Sequence, residues 1–177
     1  TAIEAFVYAI VAGAKIINVS WTLDAGVESR FMVEAIQRAE SKGGLLIVAA
    51  GNGKKDLTVD PVYPAAYRLS NVITVAALNP IGEMASFSNY GDGIVDIAAP
   101  GVNIVTTGPG VNFTYFSGTS AAAPHVTAVA ALILSRNPDL APDQVAELLK
   151  ERYSQNDSLQ GLVTGSRMLN ALEAVTS

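Results

Sequence analysis

The chain of 177 residues contains no cysteine, only one histidine and one tryptophan, and only 15% of its residues are charged. Without cysteine, disulfides, thiol catalysis and thiolate metal sites are all excluded. The missing thiols leave the cellular compartment open, because reduced and oxidising environments both accept such a chain. The single histidine, His125, makes a general base for acid–base chemistry hard to find within the chain.

Positive charge and long apolar runs are also scarce. The net charge is −5 and no lysine or arginine cluster offers a phosphate footprint, so we expect no nucleic-acid partner. The longest nearly apolar stretch, AFVYAIVAGA at 5–14, is too short to span a bilayer and has no basic leader. We therefore expect no membrane partner. The length suits one domain, and no Pro-, Gly- or Ser-rich linker divides it.

Half of the residues are hydrophobic, and helical patterns alternate with strand patterns along the chain. This alternation predicts an α/β fold, a largely parallel sheet with helices on both faces. Phe31, Ala35, Ile36 and Ala39 are predicted to share one face of the second helix. The closing segment SRMLNALEAV is predicted to be a short helix. Helices are predicted at 2–13, 28–42, 119–136 and 142–152, and strands at 15–20, within 43–52, and at 71–77, 94–99 and 103–107.

The segment YFSGTSAAAPHV at 115–126 places Ser120 at the start of a long helix. Free first-turn N–H groups and the helix dipole favour negative charge beside Ser120, where an attacking alkoxide and its oxyanion would form. Pro124 is predicted to lie in this first turn, where it removes no helical hydrogen bond. Serine is also a favoured helix cap, so these arguments leave a cap and a nucleophile about equally open.

His125 follows Ser120 by five residues on the same helix, which turns its side chain roughly 140° away from that of Ser120. We therefore expect a structural histidine packed under the motif. The segment IVAAGNGK ends a buried strand at Gly51 and Asn52. A carboxamide can donate to an oxyanion without carrying charge, but on these residues alone a plain Asn-Gly turn is favoured.

The segment SGTSAAAPHV resembles the serine motif of the subtilisin-like proteases, the subtilases, with Ala121 in place of the usual methionine. LLIVAAGN, YPAAY, ASFSNYG and DIAAPGVNIVTT are similar to further segments of the family, in the same order. The resemblance implies a subtilisin-like fold, Ser120 as nucleophile and Asn52 as side-chain donor of the oxyanion hole. The backbone N–H of Ser120 would be the second donor. Residues that match the motif are Gly118, Thr119, Ser120, Ala122, Pro124, His125 and Val126.

The aspartate and histidine blocks of the family have no counterpart in this sequence, and Thr1 stands directly before a helix with no leading strand. We expect the chain to be the C-terminal portion of one subtilase catalytic domain, without the N-terminal strands of its sheet. An N-terminal fragment of the same protease, cut at a processing site before Thr1 or encoded separately, would supply Asp and His. Alone, the chain is predicted to be inactive. The alternative is a subtilase-fold pseudoprotease that binds or scaffolds.

The resemblance also implies a peptide or protein substrate. Predicted substrate-binding residues are Ser20, Trp21, Thr22, Gly51, Val62 and Thr119. Trp21-Thr22-Leu23 stands where the family usually has Leu-Gly-Gly, and Val62 replaces a common pocket glycine. Thr22 and Val62 are predicted to narrow the pocket for the residue before the scissile bond, giving a small-residue preference or weak binding. Trp21 is predicted to flank the groove, with a core position as the alternative.

No cofactor and no metal are expected, although subtilases often bind structural calcium. Asp56 and Asp60 flank a loop but lack the ligand density that calcium requires. Asp96 is predicted to anchor a turn or backbone group rather than to act as a catalytic acid. The resemblance further implies secretion, proteolytic processing and a propeptide or inhibitor as a further partner.

Overall fold

A computed structural model of the chain describes residues 2–23, 28–110 and 112–176. The predicted processing site at Thr1 lies outside these residues. Five helices are described: α1 Ala2–Val11, α2 Arg30–Glu40, α3 Thr119–Arg136, α4 Pro142–Glu151 and α5 Ala171–Val175. The strands are β1 Ile16–Val19, β2 Leu45–Ala49, β3 Val72–Leu78, β4 Ile97–Pro100, β5 Ile104–Thr107, β6 Phe113–Phe116, β7 Tyr153–Gln155 and β8 Arg167–Leu169.

The central sheet has six strands in the order β1-β2-β3-β4-β8-β7. All neighbours pair in parallel except β7 and β8, which are antiparallel. Every residue of β2 and β3 is buried, as expected of near-continuous apolar strands covered on both faces. The predicted α/β architecture with a largely parallel sheet is confirmed.

Two cores lie on opposite faces of this sheet, because successive strand side chains point to opposite sides. Leu46 and Val48 of β2 pack with residues of α1 and α2, including Phe6 and Ile36. Leu45, Ile47 and Ala49 of the same strand pack with residues of α3 and α4. Helices therefore cover both faces of the sheet. Among the described residues, none of the helices combines the length and the apolar character that a membrane span requires.

The predicted face of α2 is partly wrong. Phe31 is 71% exposed, whereas Met32 is 5% exposed and packs in the core. The Ser29 side chain caps the helix, which then begins at Arg30. The buried residues are Met32, Ala35, Ile36 and Ala39, a spacing that repeats each turn of one helix face. Phe31 lies about 100° around the helix from Met32, outside that face.

The C-terminal prediction is also partly wrong. Arg167–Leu169 forms strand β8, and only Ala171–Val175 is helical. The side chain of Asn170 accepts a hydrogen bond from the Glu173 N–H at 3.0 Å, which starts the helix after the strand. Strand pairing with β4 and β7 is a long-range effect that the local pattern does not contain.

Strands β5 and β6 form a separate antiparallel hairpin, of which the sequence pattern predicts only β5. Phe113 and Tyr115 of β6 are 76% and 74% exposed. All four residues of β6 are exposed, and its pairing with β5 is what defines it as a strand.

Candidate active site

The N-terminus of α3 lies against the carboxyl ends of β1 and β2. Ser20 directly follows β1, and Gly51 and Asn52 follow β2. Neighbouring parallel strands end at the same edge of a sheet, which is where open α/β sheets bind ligands. Ser120, the second residue of α3, is half-buried at this edge, and Asn52 is exposed there.

Ser20 and Ser120 bind each other through reciprocal hydrogen bonds. Ser120 Oγ donates to the Ser20 carbonyl oxygen at 2.9 Å, and Ser20 Oγ donates to the Ser120 carbonyl oxygen at 3.0 Å. The prediction that Pro124 lies in the first turn of α3 is wrong, because Pro124 is the sixth residue of that helix. Pro124 has no N–H for the carbonyl of Ser120, four residues earlier, and the Ser20 hydroxyl takes that place.

A polar chain continues from this pair along the end of β1. Asn18 Nδ2 donates to Ser20 Oγ at 2.8 Å, and Asn18 Oδ1 accepts from Thr127 Oγ1 at 2.9 Å. Asn18 and Ser20 are two residues apart on extended backbone, so their side chains point to the same side. Their contact with Thr127 of α3 depends on how the helix packs, and the sequence contains no signal for it.

The Asn52 carboxamide is oriented by Thr119, the residue before the predicted nucleophile. Asn52 Oδ1 accepts from the Thr119 N–H at 2.9 Å and from Thr119 Oγ1 at 3.0 Å. Because a backbone N–H can only donate, the facing atom of the carboxamide must be oxygen, and Nδ2 points the other way. No described residue accepts a hydrogen bond from Nδ2, which lies 3.4 Å from the position a Cβ on Gly118 would take. Asn52 therefore presents a free, oriented N–H₂ group beside Ser120.

Gly51 lies in a conformation that only glycine adopts easily. Its φ is +101°, and an added Cβ would come within 2.4 Å of Asn89 Nδ2 and 3.6 Å of Thr22 Cγ2. The Gly51 N–H donates to Thr119 Oγ1 at 3.1 Å. The structure thus brings Gly51, Thr22 and Thr119, three of the predicted substrate-binding residues, together beside Asn52.

Of two other predicted substrate-binding residues, Val62 lies in the core on the α1 and α2 face of the sheet, and the half-buried Trp21 packs against that core. Val62 is only 1% exposed. The Trp21 ring is stacked on Phe6 of α1, with ring centroids 6.1 Å apart and planes inclined by 21°. The half-buried Trp21 ring thus contacts the core, and its place beside the substrate groove stays a prediction.

Asn89 is a site residue that the sequence reasoning missed. Its side chain accepts from the N–H groups of Gly53 and Lys55, both at 2.9 Å, and donates to the Ala50 carbonyl at 2.8 Å. These bonds bracket Asn52 on both sides. The segment ASFSNYG contains this asparagine, but nothing local indicates that it meets a loop nearly forty residues earlier.

A surface groove of about 290 Å³ runs beside Ser120, lined by Ile104 of β5, Phe116 of β6, Pro124 and His125 among others. His125 Nδ1 lies 2.8 Å from the Ala121 carbonyl oxygen. Since that oxygen only accepts, the Nδ1 atom carries the proton in this contact. Ser120 Oγ donates to Ser20 instead, so the geometry agrees with a structural histidine.

The two carboxylates closest to a calcium-binding pattern have other partners. Asp56 accepts from the Thr58 N–H at 2.9 Å and from Thr58 Oγ1 at 2.6 Å, and these hydrogen bonds lower its pKa. Asp60 forms an ion pair with Lys55 at 2.9 Å. Across the described ranges, no group of three or more His, Asp or Glu side chains converges as a metal site would require. That the protein needs no metal stays a prediction.

Asp96 is a backbone anchor, as expected. Its Oδ2 accepts from the Thr74 N–H at 2.8 Å, and its Oδ1 pairs with Lys150 of α4 at 3.0 Å.

Comparison with known sequences identifies a family. The sequence model described as the subtilase family matches residues 1–165. A thermophilic serine proteinase of Bacillus sp. (strain AK1) is 42% identical over 133 residues, which cover 75% of this chain and 31% of that protein. Subtilisin-like protease 2 of Plasmodium falciparum is 40% identical over 180 residues, covering 98% and 13%. Subtilisin BL of Lederbergia lenta is 37% identical over 165 residues, covering 93% and 57%.

Solved structures agree with this family at the level of the fold. A cold adapted subtilisin-like serine proteinase superimposes with a TM-score of 0.84 at 31% identity, covering 96% of this chain and 60% of that chain. A structure of subtilase cytotoxin SubAB assembly gives 0.86 at 30%, covering 99% and 63%. The chain spans less than two thirds of the length of the curated relatives and solved structures named above.

Proposed function

Because the chain belongs to the subtilase family, we propose that it supplies the nucleophile and the oxyanion-binding groups of a serine endopeptidase. The observation that carries this proposal is the Asn52 carboxamide, which Thr119 holds with its N–H₂ group free beside Ser120. A serine that merely capped α3 would not require an oriented donor from another strand end.

Catalysis begins when Ser120 Oγ attacks the carbonyl carbon of the scissile peptide bond. The carbonyl oxygen becomes an oxyanion as the new C–O bond forms, and donors already in place stabilise it without reorganising. Asn52 Nδ2 is one donor. The Ser120 N–H is the other, because it belongs to the first turn of α3 and has no acceptor within the helix.

The proton of the Ser120 hydroxyl must pass to a base, and none of the hydrogen bonds of the described residues brings a base to it. The hydroxyl donates to the Ser20 carbonyl, and His125 donates along its own helix. We propose that a portion of the same protease that carries the family's aspartate and histidine provides the triad partners. The greater length of the solved relatives supports this proposal, as does the position of β1 at an edge of the described sheet.

The substrate is proposed to lie as an extended peptide beside residues 20–22, adding to the sheet where β1 ends. This segment is held in place at its far end, since the Leu23 N–H donates to the Tyr63 carbonyl at 2.6 Å. The Thr22 methyl lies beside Gly51, the residue before Asn52. We infer that it narrows the pocket there. We therefore expect cleavage after Ala or Gly to exceed cleavage after Phe or Leu. A preference for bulky residues in a peptide library would contradict this pocket.

Denaturing intact-mass spectrometry after treatment with a fluorophosphonate tests the catalytic proposal. The samples are this chain alone, this chain together with the aspartate- and histidine-bearing portion, and the same pair carrying Ser120→Ala. We expect an adduct on the second sample only, localised to Ser120 by peptide mapping. No adduct on the second sample, with both triad partners present, would overturn the proposal and favour a binding or scaffolding pseudoprotease.

The pseudoprotease alternative depends on obstruction of the cleft by Trp21, Thr22 and Val62. Val62 lies in the core, the half-buried Trp21 packs against it, and the Thr22 methyl lies beside Gly51, so we infer that these residues obstruct the cleft little. Secretion, maturation by proteolysis and control by a propeptide or inhibitor are carried over as parts of the same proposal. N-terminal sequencing of the protein from its native source tests the maturation step.

A further inference from the structure

Asn52 is followed by Gly53, and this is the only Asn-Gly pair in the sequence. Such a pair is chemically labile in a flexible chain. The Gly53 backbone nitrogen attacks the Asn52 side-chain carbon Cγ, forming an N–C bond while the Cγ–Nδ2 bond breaks. Ammonia leaves with the proton from the Gly53 nitrogen, and water then opens the cyclic imide to aspartate or isoaspartate. Nothing is oxidised or reduced, and the net change replaces NH₂ with OH.

Side-chain exposure alone would leave this reaction open, since Asn52 is exposed and water is available. The backbone around it is, however, closely held. The Gly53 N–H donates to Asn89 Oδ1 at 2.9 Å, the Lys54 N–H to the Phe87 carbonyl at 2.9 Å, and the Lys55 N–H to Asn89 Oδ1 at 2.9 Å. Before the Gly53 nitrogen can attack, it must leave Asn89 and turn toward Asn52.

Asn89 is itself firmly placed. It is 2% exposed, its Nδ2 donates to the Ala50 carbonyl at 2.8 Å, and its own N–H donates to the Gly51 carbonyl at 2.9 Å. A buried group with this many partners has little freedom to move away, since each lost bond would leave a buried polar atom unsatisfied.

The electrophilic partner is held as well. Asn52 Oδ1 accepts two hydrogen bonds from Thr119 of α3, so the carboxamide cannot rotate freely toward Gly53. The nucleophile and the electrophile of the imide-forming step are thus anchored to different elements, one to Asn89 and the other to α3.

We propose that Asn52–Gly53 is a spontaneous deamidation site which the folded chain restrains, and that Asn89 is the residue that restrains it. The consequence for activity depends on the proposed role of Asn52, because either product replaces an N–H₂ donor with a carboxylate that repels an oxyanion. Deamidation would then inactivate the site without cutting the chain. The chemical restraint itself does not depend on any catalytic role.

The test measures the rate of deamidation at Asn52 by peptide mapping and mass spectrometry of the full 177-residue chain. Native chain, chain in concentrated urea, and the Asn89→Leu variant are incubated under the same mildly alkaline conditions. We expect the native chain to deamidate at least about tenfold more slowly than the unfolded chain. Asn89→Leu should deamidate about tenfold faster than the native chain, because the one hydrogen bond that restrains the Gly53 nitrogen directly is lost.

Asn71→Leu is the matched control. Asn71 is also a buried asparagine, 1% exposed, whose Nδ2 donates to the carbonyls of Ile36 and Gly44 at 3.0 and 3.1 Å. It lies at the opposite end of the sheet, just before β3. We expect this variant to lose stability and yet to deamidate Asn52 at the native rate.

Equal rates in native chain and urea, or in the native chain and Asn89→Leu, would overturn the proposal. Acceleration by Asn71→Leu as large as that by Asn89→Leu would also overturn it, because global unfolding would then explain both. The readout is a mass change and requires no peptidase activity. A failure here therefore differs from a failure of the catalytic proposal, which the fluorophosphonate adduct reports.

Discussion

The loop that carries Asn52 and the β5–β6 hairpin border the same residue, Ser120, but they are built in opposite ways. In the loop, the N–H groups of residues 53–55 all donate to residues 87–89, and the supporting Asn89 is buried. The hairpin depends on the pairing of its own two strands, and Phe113 and Tyr115 are largely exposed. The Asn52 side of the site is therefore preorganised, whereas the hairpin side consists of exposed side chains.

This difference agrees with the role proposed for Asn52. An oxyanion donor gains from being held in place before the reaction, since any reorganisation would add to the barrier. An exposed apolar hairpin contributes little to the stability of the chain that carries it, because little of its apolar side-chain surface is removed from water on folding. A substitution in one region can therefore be measured against a matched substitution in the other.

The largest expected effect is on turnover. Asn52→Leu in the assembled protease removes the side-chain donor and should lower kcat by about 10²–10³ with little change in KM, a magnitude taken from measurements on subtilisin, a member of this same family. Steady-state kinetics on a peptide substrate measure it. The reference is Asn112→Leu, at an exposed residue directly before β6, which should leave kcat unchanged. A rise in KM with kcat unchanged for Asn52→Leu would contradict an oxyanion role.

The next effect is on stability and compares two glycines with positive φ. Gly51→Ala adds a methyl 2.4 Å from Asn89 Nδ2, whereas Gly110→Ala in the hairpin turn, with φ of +75°, meets no atom within 4 Å. Both variants carry backbone strain, and we expect Gly51→Ala to lower the free energy of unfolding by about 1–3 kcal/mol more than Gly110→Ala does. Urea denaturation measures both. Equal losses of unfolding free energy would mean that the loop shifts to accommodate the added methyl group at little cost.

A smaller effect is expected within the hairpin itself. Tyr115→Ser removes an aromatic side chain that is 74% exposed. Surface substitutions without special contacts usually change the free energy of unfolding by less than about 0.5 kcal/mol. Thermal and urea denaturation of the chain should therefore be nearly unchanged. A loss as large as that of Gly51→Ala would show that the hairpin is part of the cooperative core and would remove the contrast.

The smallest effect concerns Asp56, whose pKa lies below its ordinary value of 3.8 because Thr58 donates to the carboxylate. A depressed pKa in the folded chain contributes stability that is complete above the ordinary value and is lost as the pH falls through the folded value. The urea midpoint of Asp56→Asn should therefore decrease slightly less than that of the parent chain as the pH falls below about 4. The parent and variant midpoints should converge in strong acid, and a growing difference there would contradict this sign.

Local patterns in the sequence predicted much of the fold and part of the site. The continuous apolar runs of β2 and β3 indicated buried parallel strands, and the long motif around Ser120 indicated a nucleophile. The predicted buried face of α2 was wrong at Phe31, because with the cap at Ser29 the helix packs Met32 and not Phe31 against the sheet. Strand β8 was missed because its partners β4 and β7 are supplied by distant parts of the chain.

By itself, the sequence determined the α/β class, the strand ends that carry Ser20 and Asn52, and the helix that carries Ser120. These follow from periodicity, turn chemistry and a specific motif, which are properties of neighbouring residues. Only the tertiary structure decided that Ser20 meets Ser120 a hundred residues away, that Thr119 orients Asn52, and that Asn89 holds the loop. The physical reason is that a hydrogen bond needs an atom within about 3 Å, and long-range packing sets that distance.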